Sequence, residues 1–276
     1  MDLFSIDIGD CEVAYGAAGT IANPPLVFVH GWAMSHSCWR DTIPEFYLRY
    51  RCLGVDLPGF GWSEKPAWDY SIPSLAAYLR RFLDALGIEC CDLVGHSMGG
   101  LTSLLFSLEN PERVRRLCVV NPPMSGSTAL TRLVWWATQP GIRTLAYLGS
   151  RTRWGLRYAA KKITYVFPLP DDVVEAAGRA TYRSMIQTAL SIKATDLVPR
   201  LPELRMPALL VGCDRDTVVR PEEHAHWPPD FQYVRMVETG HFPMIERPSE
   251  FNQILRSFLE APSQTAVVET LQGVSP

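Results

Sequence analysis

Hydrophobic and polar positions alternate along this chain in two distinct ways. Short apolar runs rich in β-formers occupy residues 26–30, 51–56, 92–94, 117–120, 208–211 and 231–237, and runs of that length and composition read as buried strands. Between them lie longer stretches with apolar residues three and four apart, at about 38–48, 72–86, 101–109, 221–227 and 249–259, which is helical spacing. Ser71 stands where a helix cap belongs and Gly87 where a helix stops. Residues 3–8 and 11–15 flank Gly9-Asp10 and predict a hairpin. Strand followed by helix, repeated, predicts a mostly parallel sheet covered by helices on both faces.

The alternation breaks at Asn121-Pro122-Pro123 and resumes after Pro199-Arg200. In between no strand is evident, and the helical spacing is interrupted by Pro140-Gly141 and Pro168-Leu169-Pro170. Residues 122–200 are therefore expected to form a helical insertion, a lid over one end of the sheet. Residues 1–121 and 201–261 would form the core, and the polar tail 262–276 would be loose.

Composition narrows the class. A chain of 276 residues with 47% hydrophobic and 20% charged positions can bury one substantial core with an insertion. A net charge of −3 gives no reason to expect nucleic acid. The seven cysteines have neither C-x-x-C nor zinc spacing, and an odd number cannot all pair. Most fall in apolar runs, so they read as buried free thiols of a reducing compartment. The first ten residues have no basic start and no apolar run of signal-peptide length, and no stretch approaches the ~20 apolar residues of a membrane span. The expectation is a soluble, cytoplasmic protein with no transmembrane segment.

The most informative stretch is Gly95-His96-Ser97-Met98-Gly99-Gly100, between a strand and an apolar helix. A serine at the tip of so sharp a turn takes strained backbone angles. The flanking glycines remove side chains that would collide as strand and helix close. The following helix aims its N-terminal N–H groups at the serine, which favours developing negative charge there. This is the nucleophile-elbow pattern. A serine hydroxyl needs a base and a group to orient that base, and in an open parallel sheet these are sought just beyond the carboxyl ends of later strands. Asp214 and Asp216 follow the strand at 208–211, and His241 follows the one at 231–237. Asp216, in the turn toward the next helix, is preferred over Asp214. Of the other histidines, His224 and His226 are expected on a solvated helix, and His96 is expected to point away from the site. Oxyanion donors are expected from the backbone N–H groups of Met98, after the nucleophile, and of Trp32, in the loop opened by His30-Gly31. The Trp32 ring is also a candidate wall of the acyl pocket.

Together with Asp56-Leu57-Pro58-Gly59-Phe60-Gly61-Trp62-Ser63 and Gly240-His241-Phe242-Pro243, these segments resemble an α/β-hydrolase of the lid-bearing, single-domain kind, over residues 10–121 and 200–260. The resemblance implies an eight-stranded, mostly parallel sheet and hydrolysis through an acyl-enzyme without metal or cofactor. It also implies an acid nine residues beyond a proline preceding the strand, which counts from Pro207 to Asp216. In similar haloalkane dehalogenases and epoxide hydrolases the nucleophile is an aspartate, and Ser97 argues against both.

The expected reaction is cleavage of a carboxylic ester by Ser97, His241 and Asp216. The same three residues could serve carbon–carbon bond hydrolysis, a thioesterase or a peracid-forming haloperoxidase, and a non-catalytic ligand receptor on this fold is a further alternative. Residues 122–200 carry eleven Lys or Arg against four Asp or Glu, a balance of +7 that leaves −10 for the rest of the chain. That segment is either a solvated helical face or a basic surface suited to an acidic acyl carrier or an anionic lipid surface.

Overall fold

The computed structural model describes residues 1–126 and 170–261. The chain enters as a hairpin of β1 (Asp2–Asp7) and β2 (Glu12–Ala18), paired antiparallel. β3 (Pro25–Val29) and β4 (Arg51–Val55) follow, separated by a 3-10 turn at His36–Trp39 and the short α1 (Ile43–Phe46). Then come α2 (Ile72–Ala85), β5 (Cys91–His96), α3 (Met98–Glu109) and β6 (Val114–Val120). After the undescribed stretch lie α4 (Asp171–Ala177) and α5 (Tyr182–Ala194), then β7 (Ala208–Cys213), β8 (Gln232–Met236), α6 (Pro243–Glu246) and α7 (Pro248–Glu260). The eight strands form one sheet in the order β1-β2-β4-β3-β5-β6-β7-β8. β2 meets β4 antiparallel, and every later pairing is parallel. The chain steps from β3 to β4 on one side and returns to place β5 on the other, so the carboxyl end of β5 lies at the point where strand order reverses, where α/β sheets bind ligands.

Strand alternation sends successive side chains to opposite faces. Val27, Val29, Leu93 and Leu210 join the core under α2 and α3, while Leu26, Phe28, Val94 and Leu209 join the core under α1 and α7. α2 buries Ile72, Leu75, Ala76, Leu79, Phe82 and Leu83, one stripe at helical spacing. Its Ser71 cap accepts the N–H of Ser74, and Gly87 closes it at φ 65°.

Three elements differ from expectation. The helix expected over 38–48 is two short pieces, because Pro44 cannot donate into a continuing helix and instead starts α1. β6 begins at Val114, three residues early, since Arg115 pairs with buried Asp92 and Arg116 donates to the Ala261 carbonyl. Charge at those positions hides the strand from a hydrophobicity reading. The helix expected over 221–227 is a 3-10 turn, Pro221–His226. Of the expected insertion, residues 127–169 lie outside the described residues, as does the tail from 262. No helix among the described residues is long and apolar enough to cross a membrane.

Candidate active site

β5 is buried at every position and ends at His96, leaving Ser97 at φ 52°, ψ −118°. Such angles are strained for a residue with a side chain. The surroundings enforce them. The Ser97 N–H donates to the Val120 carbonyl at 2.8 Å, and its carbonyl accepts from the Leu101 N–H at 3.0 Å. The turn also packs without room for side chains: a Cβ on Gly99 would sit 2.4 Å from the His30 carbonyl oxygen, and one on Gly95 2.5 Å from that of Gly99.

Two later loops reach this serine. His241, between β8 and α6, places Nε2 3.0 Å from Ser97 Oγ and Nδ1 2.6 Å from Asp216 Oδ2. The other Asp216 oxygen accepts the N–H groups of Val218 and Val219 at 2.7 and 2.9 Å. With the carboxylate as acceptor, Nδ1 carries the ring proton and Nε2 turns its lone pair to the serine hydroxyl. All three residues are buried, Ser97 at 6%, His241 at 3% and Asp216 at 5% exposure, so these bonds face little competition from water. Asp214 is turned elsewhere, toward the Thr239 N–H and Arg235.

The loop after β3 approaches from the other side. His30 is fully buried, with Nδ1 2.7 Å from the Gly31 carbonyl and Nε2 3.0 Å from the Leu57 N–H. Because Nε2 must accept, Nδ1 donates, and a single neutral tautomer satisfies both ends. Burial lowers the His30 pKa, against the opposing charge of Asp56. Asp56 is itself buried and accepts from His36 N, His36 Nδ1 and Trp62 N at 2.6, 2.9 and 2.8 Å, which organises the Asp56–Ser63 motif. Among the described residues, the backbone N–H groups of Trp32 and Met98 have no protein acceptor. The Trp32 indole N–H donates to the Met185 carbonyl of α5 at 3.0 Å.

Two histidines depart from expectation. His96 does not point away: it is fully buried, its ring centroid lies 4.7 Å from that of His241, and its Nε2 is 2.8 Å from the His241 carbonyl. The strand carries it into the interior beside the His241 ring. Burial, then His241, hold its pKa well below the usual histidine value. His224 is buried rather than solvated, because Gly212 leaves room for its ring: a Cβ there would lie 2.3 Å from His224 Nδ1. Its pKa is lowered by burial, opposed by Asp216 and Glu223. Asn121, which in the sequence marks a chain break, is part of this cluster. It sits at the end of β6 and donates to the His241 carbonyl at 3.2 Å. The rule that site residues follow strand ends would have pointed to it. Among the described residues no group of three or more His, Cys, Asp or Glu is placed to hold a metal ion.

A mostly parallel eight-stranded sheet with a sharp strand-to-helix turn after its fifth strand is the α/β-hydrolase fold. The chain belongs to the α/β hydrolase fold family, whose pattern it matches over residues 24–248. It is 29% identical to the pimeloyl-[acyl-carrier protein] methyl ester esterase of Aeromonas hydrophila, over 86% of this chain and 96% of that protein. It is 36% identical to epoxide hydrolase 4 of Mus musculus over a shorter stretch, 40% of this chain and 31% of that one. Among solved structures it resembles the carboxylesterase CesB of Bacillus subtilis, with a TM-score of 0.76, 23% identity, and 95% and 92% of the two chains covered.

Proposed function

We propose that this protein is a serine hydrolase that cleaves a carboxylic ester through an acyl-enzyme. The observation that carries the reading is the continuous contact from Asp216 through His241 to Ser97, at 2.6 and 3.0 Å in a buried setting. His241 takes the Ser97 proton as Oγ attacks the carbonyl carbon. Asp216 holds the ring and stabilises the imidazolium. The oxyanion is received by the N–H groups of Trp32 and Met98, at the N-terminus of α3. The imidazolium then returns its proton to the leaving alcohol, and water, activated by the same ring, releases the acid. Serine at position 97 favours this reading over epoxide opening, for which similar proteins use an aspartate.

The test is hydrolysis of p-nitrophenyl esters from acetate to long chains by the wild type and Ser97→Ala, with labelling by a serine-directed phosphonate. Loss of about 10⁴-fold or more in the mutant is expected. Activity that survives the mutation, or a wild type that the phosphonate leaves unlabelled, rejects the reading.

A narrower substrate class has support of its own. The +7 balance of residues 122–200 suits an acidic acyl carrier, and the Aeromonas relative is named for an ester on one. Added salt should then slow turnover of a carrier-bound ester and leave that of a neutral p-nitrophenyl ester unchanged. Equal salt responses reject it.

A further inference from the structure

The contacts of the His241 side chain explain how its ring is oriented, but not what fixes the loop that carries it. That loop crosses from β8 to α6 and has no regular hydrogen-bonding of its own. Its outer side is held by Glu246, which accepts the N–H groups of Gly240 and Phe242 at 2.7 and 2.9 Å. Its Thr239 carbonyl accepts the Arg215 N–H at 3.0 Å, and nearer the serine two side chains converge on one atom, the His241 carbonyl oxygen. His96 Nε2 approaches it at 2.8 Å and Asn121 Nδ2 at 3.2 Å.

Both donor assignments follow from their partners. A carbonyl only accepts, so His96 carries its proton on Nε2. Asn121 accepts the Cys213 N–H at 3.0 Å through Oδ1, which leaves its amide N–H for His241. Among the described residues the second ring nitrogen of His96 has no hydrogen-bond partner, and it is buried. It faces Gly31, where a Cβ would lie 2.7 Å from Nδ1. One side chain, next in sequence to the nucleophile, thus abuts the loop leading to Trp32 on one side and the carbonyl of the base on the other. Asn121 adds the end of β6 and, through Cys213, the end of β7.

We propose that His96 and Asn121 are positioning residues that clamp the main-chain carbonyl of His241 and hold its imidazole in line with Ser97. The inference rests on the serine-hydrolase reading and deepens it. The clamp closes a short circuit: Ser97 is bonded to His96, His96 holds the His241 carbonyl, and the His241 ring returns to Ser97 Oγ. The distance across which the proton moves is set within that circuit, independently of the substrate. Loosening the clamp should therefore slow chemistry and leave binding unchanged.

A matched pair of variants separates the donor from the bulk. In His96→Gln the amide nitrogen is as many bonds from the backbone as Nε2 and can still donate. His96→Met has a similar shape without a donor. We would measure kcat and KM on p-nitrophenyl acetate, the rate of phosphonate labelling and the thermal midpoint. For His96→Met, kcat and labelling should fall about 10- to 100-fold with KM held within about twofold, as a displacement of up to an ångström implies. His96→Gln should recover most of the loss. Equal activity of His96→Met and wild type, or equal losses in the two variants, overturns the clamp. Asn121→Asp keeps the acceptor for Cys213, tolerates the φ of 45° and removes the second donor. It decides the matter should His96→Met fail to fold: a lower kcat at constant KM supports the clamp, and an unchanged kcat overturns it. A wild type that phosphonate does not label overturns the serine reading, whereas a labelled wild type with indifferent variants overturns the clamp alone.

Discussion

Three buried histidines should make this protein lose stability as the pH falls below neutral. His30, His96 and His224 are at most 5% exposed, and burial lowers each pKa from 6.5. Folding therefore keeps these rings neutral, while the unfolded chain protonates them. Unfolding takes up protons wherever the pH lies between the folded and unfolded pKa values, so stability is complete above about 6.5 and is lost as the pH falls from there. Between pH 7.5 and 5.5 each ring can remove at most about 1.4 kcal/mol, and the three together about 4 kcal/mol. At roughly 2–4 °C per kcal/mol for a chain of this size, the thermal midpoint should drop measurably, by at most about 10 °C. The range stops at pH 5.5 because Asp92, whose pKa is raised by burial despite Arg115, acts with the opposite sign in more acid solution. Thermal unfolding and urea denaturation across the range give the measurement, with His96→Gln as internal control. The variant should show a shallower pH dependence than the wild type, since one of the three rings is gone. Stability that stays flat to pH 5.5, or a variant with the full wild-type slope, would refute the reasoning.

Other substitutions test the packing. Gly99→Ala forces a Cβ against the backbone carbonyls of His30 and Val29 at 2.4 and 2.5 Å, whereas Gly87→Ala meets nothing within 4 Å and bears only the strain of φ 65°; urea denaturation should show a loss of about 3 kcal/mol or more for the first and about 1 kcal/mol for the second. Arg115→Met leaves the buried carboxylate of Asp92, held bidentate at 2.8 and 3.0 Å, without its cation; a loss of about 3 kcal/mol is expected, with much of it restored by adding Asp92→Asn. Six of the seven cysteines are buried and Cys90 is half-buried, with the Cys11 thiol pushed up to about 11 and those of Cys52 and Cys213 to about 12; a disulfide reagent at pH 7.5 should label at most about one thiol in the native protein and all seven after denaturation.

The proximity of Ser97, His241 and Asp216, the proposed catalytic residues, has a sequence signal, because each obeys a positional rule: a glycine-flanked turn, or the loop after a late strand. The sheet was legible for the same kind of reason, since its inner strands are short, apolar and separated by helical spacing. What resisted reading was polar and buried. β6 was shortened by its own arginines, one of which satisfies an aspartate in the next strand. For His96, adjacency to Ser97 says nothing about which side of the sheet the ring enters. His224 has the sequence pattern of a surface residue, because the space that receives it is made by Gly212, twelve residues earlier. Asn121 carries the clearest lesson. Its neighbours Pro122-Pro123 mark a break so strongly that they hide the role of the side chain at the break.

The same limit applies to α5, whose residues fall in the stretch expected to be an insertion. Its polar positions look like a solvated face. In the structure they dock. Ser184 donates to the Gly59 carbonyl at 2.8 Å, Gln187 accepts the Tyr70 N–H at 3.1 Å, Thr188 donates to the Tyr70 carbonyl at 2.9 Å, and Ser191 accepts the Ile72 N–H at 2.8 Å. These residues are three, four and seven apart, one face of the helix. They satisfy backbone groups of the loop that leads from β4 to α2, groups that would otherwise be buried without partners. Gly59 makes the approach possible, because a Cβ there would lie 2.7 Å from that of Ser184. Each bond is worth about 1 kcal/mol, so the seam as a whole rivals a buried apolar side chain in strength. Hydrophobic periodicity cannot detect it, because its complement is main chain rather than side chain. The consequence reaches the site: α5, held along this seam, offers the Met185 carbonyl to the Trp32 indole, and the backbone N–H of that same tryptophan is the proposed oxyanion donor.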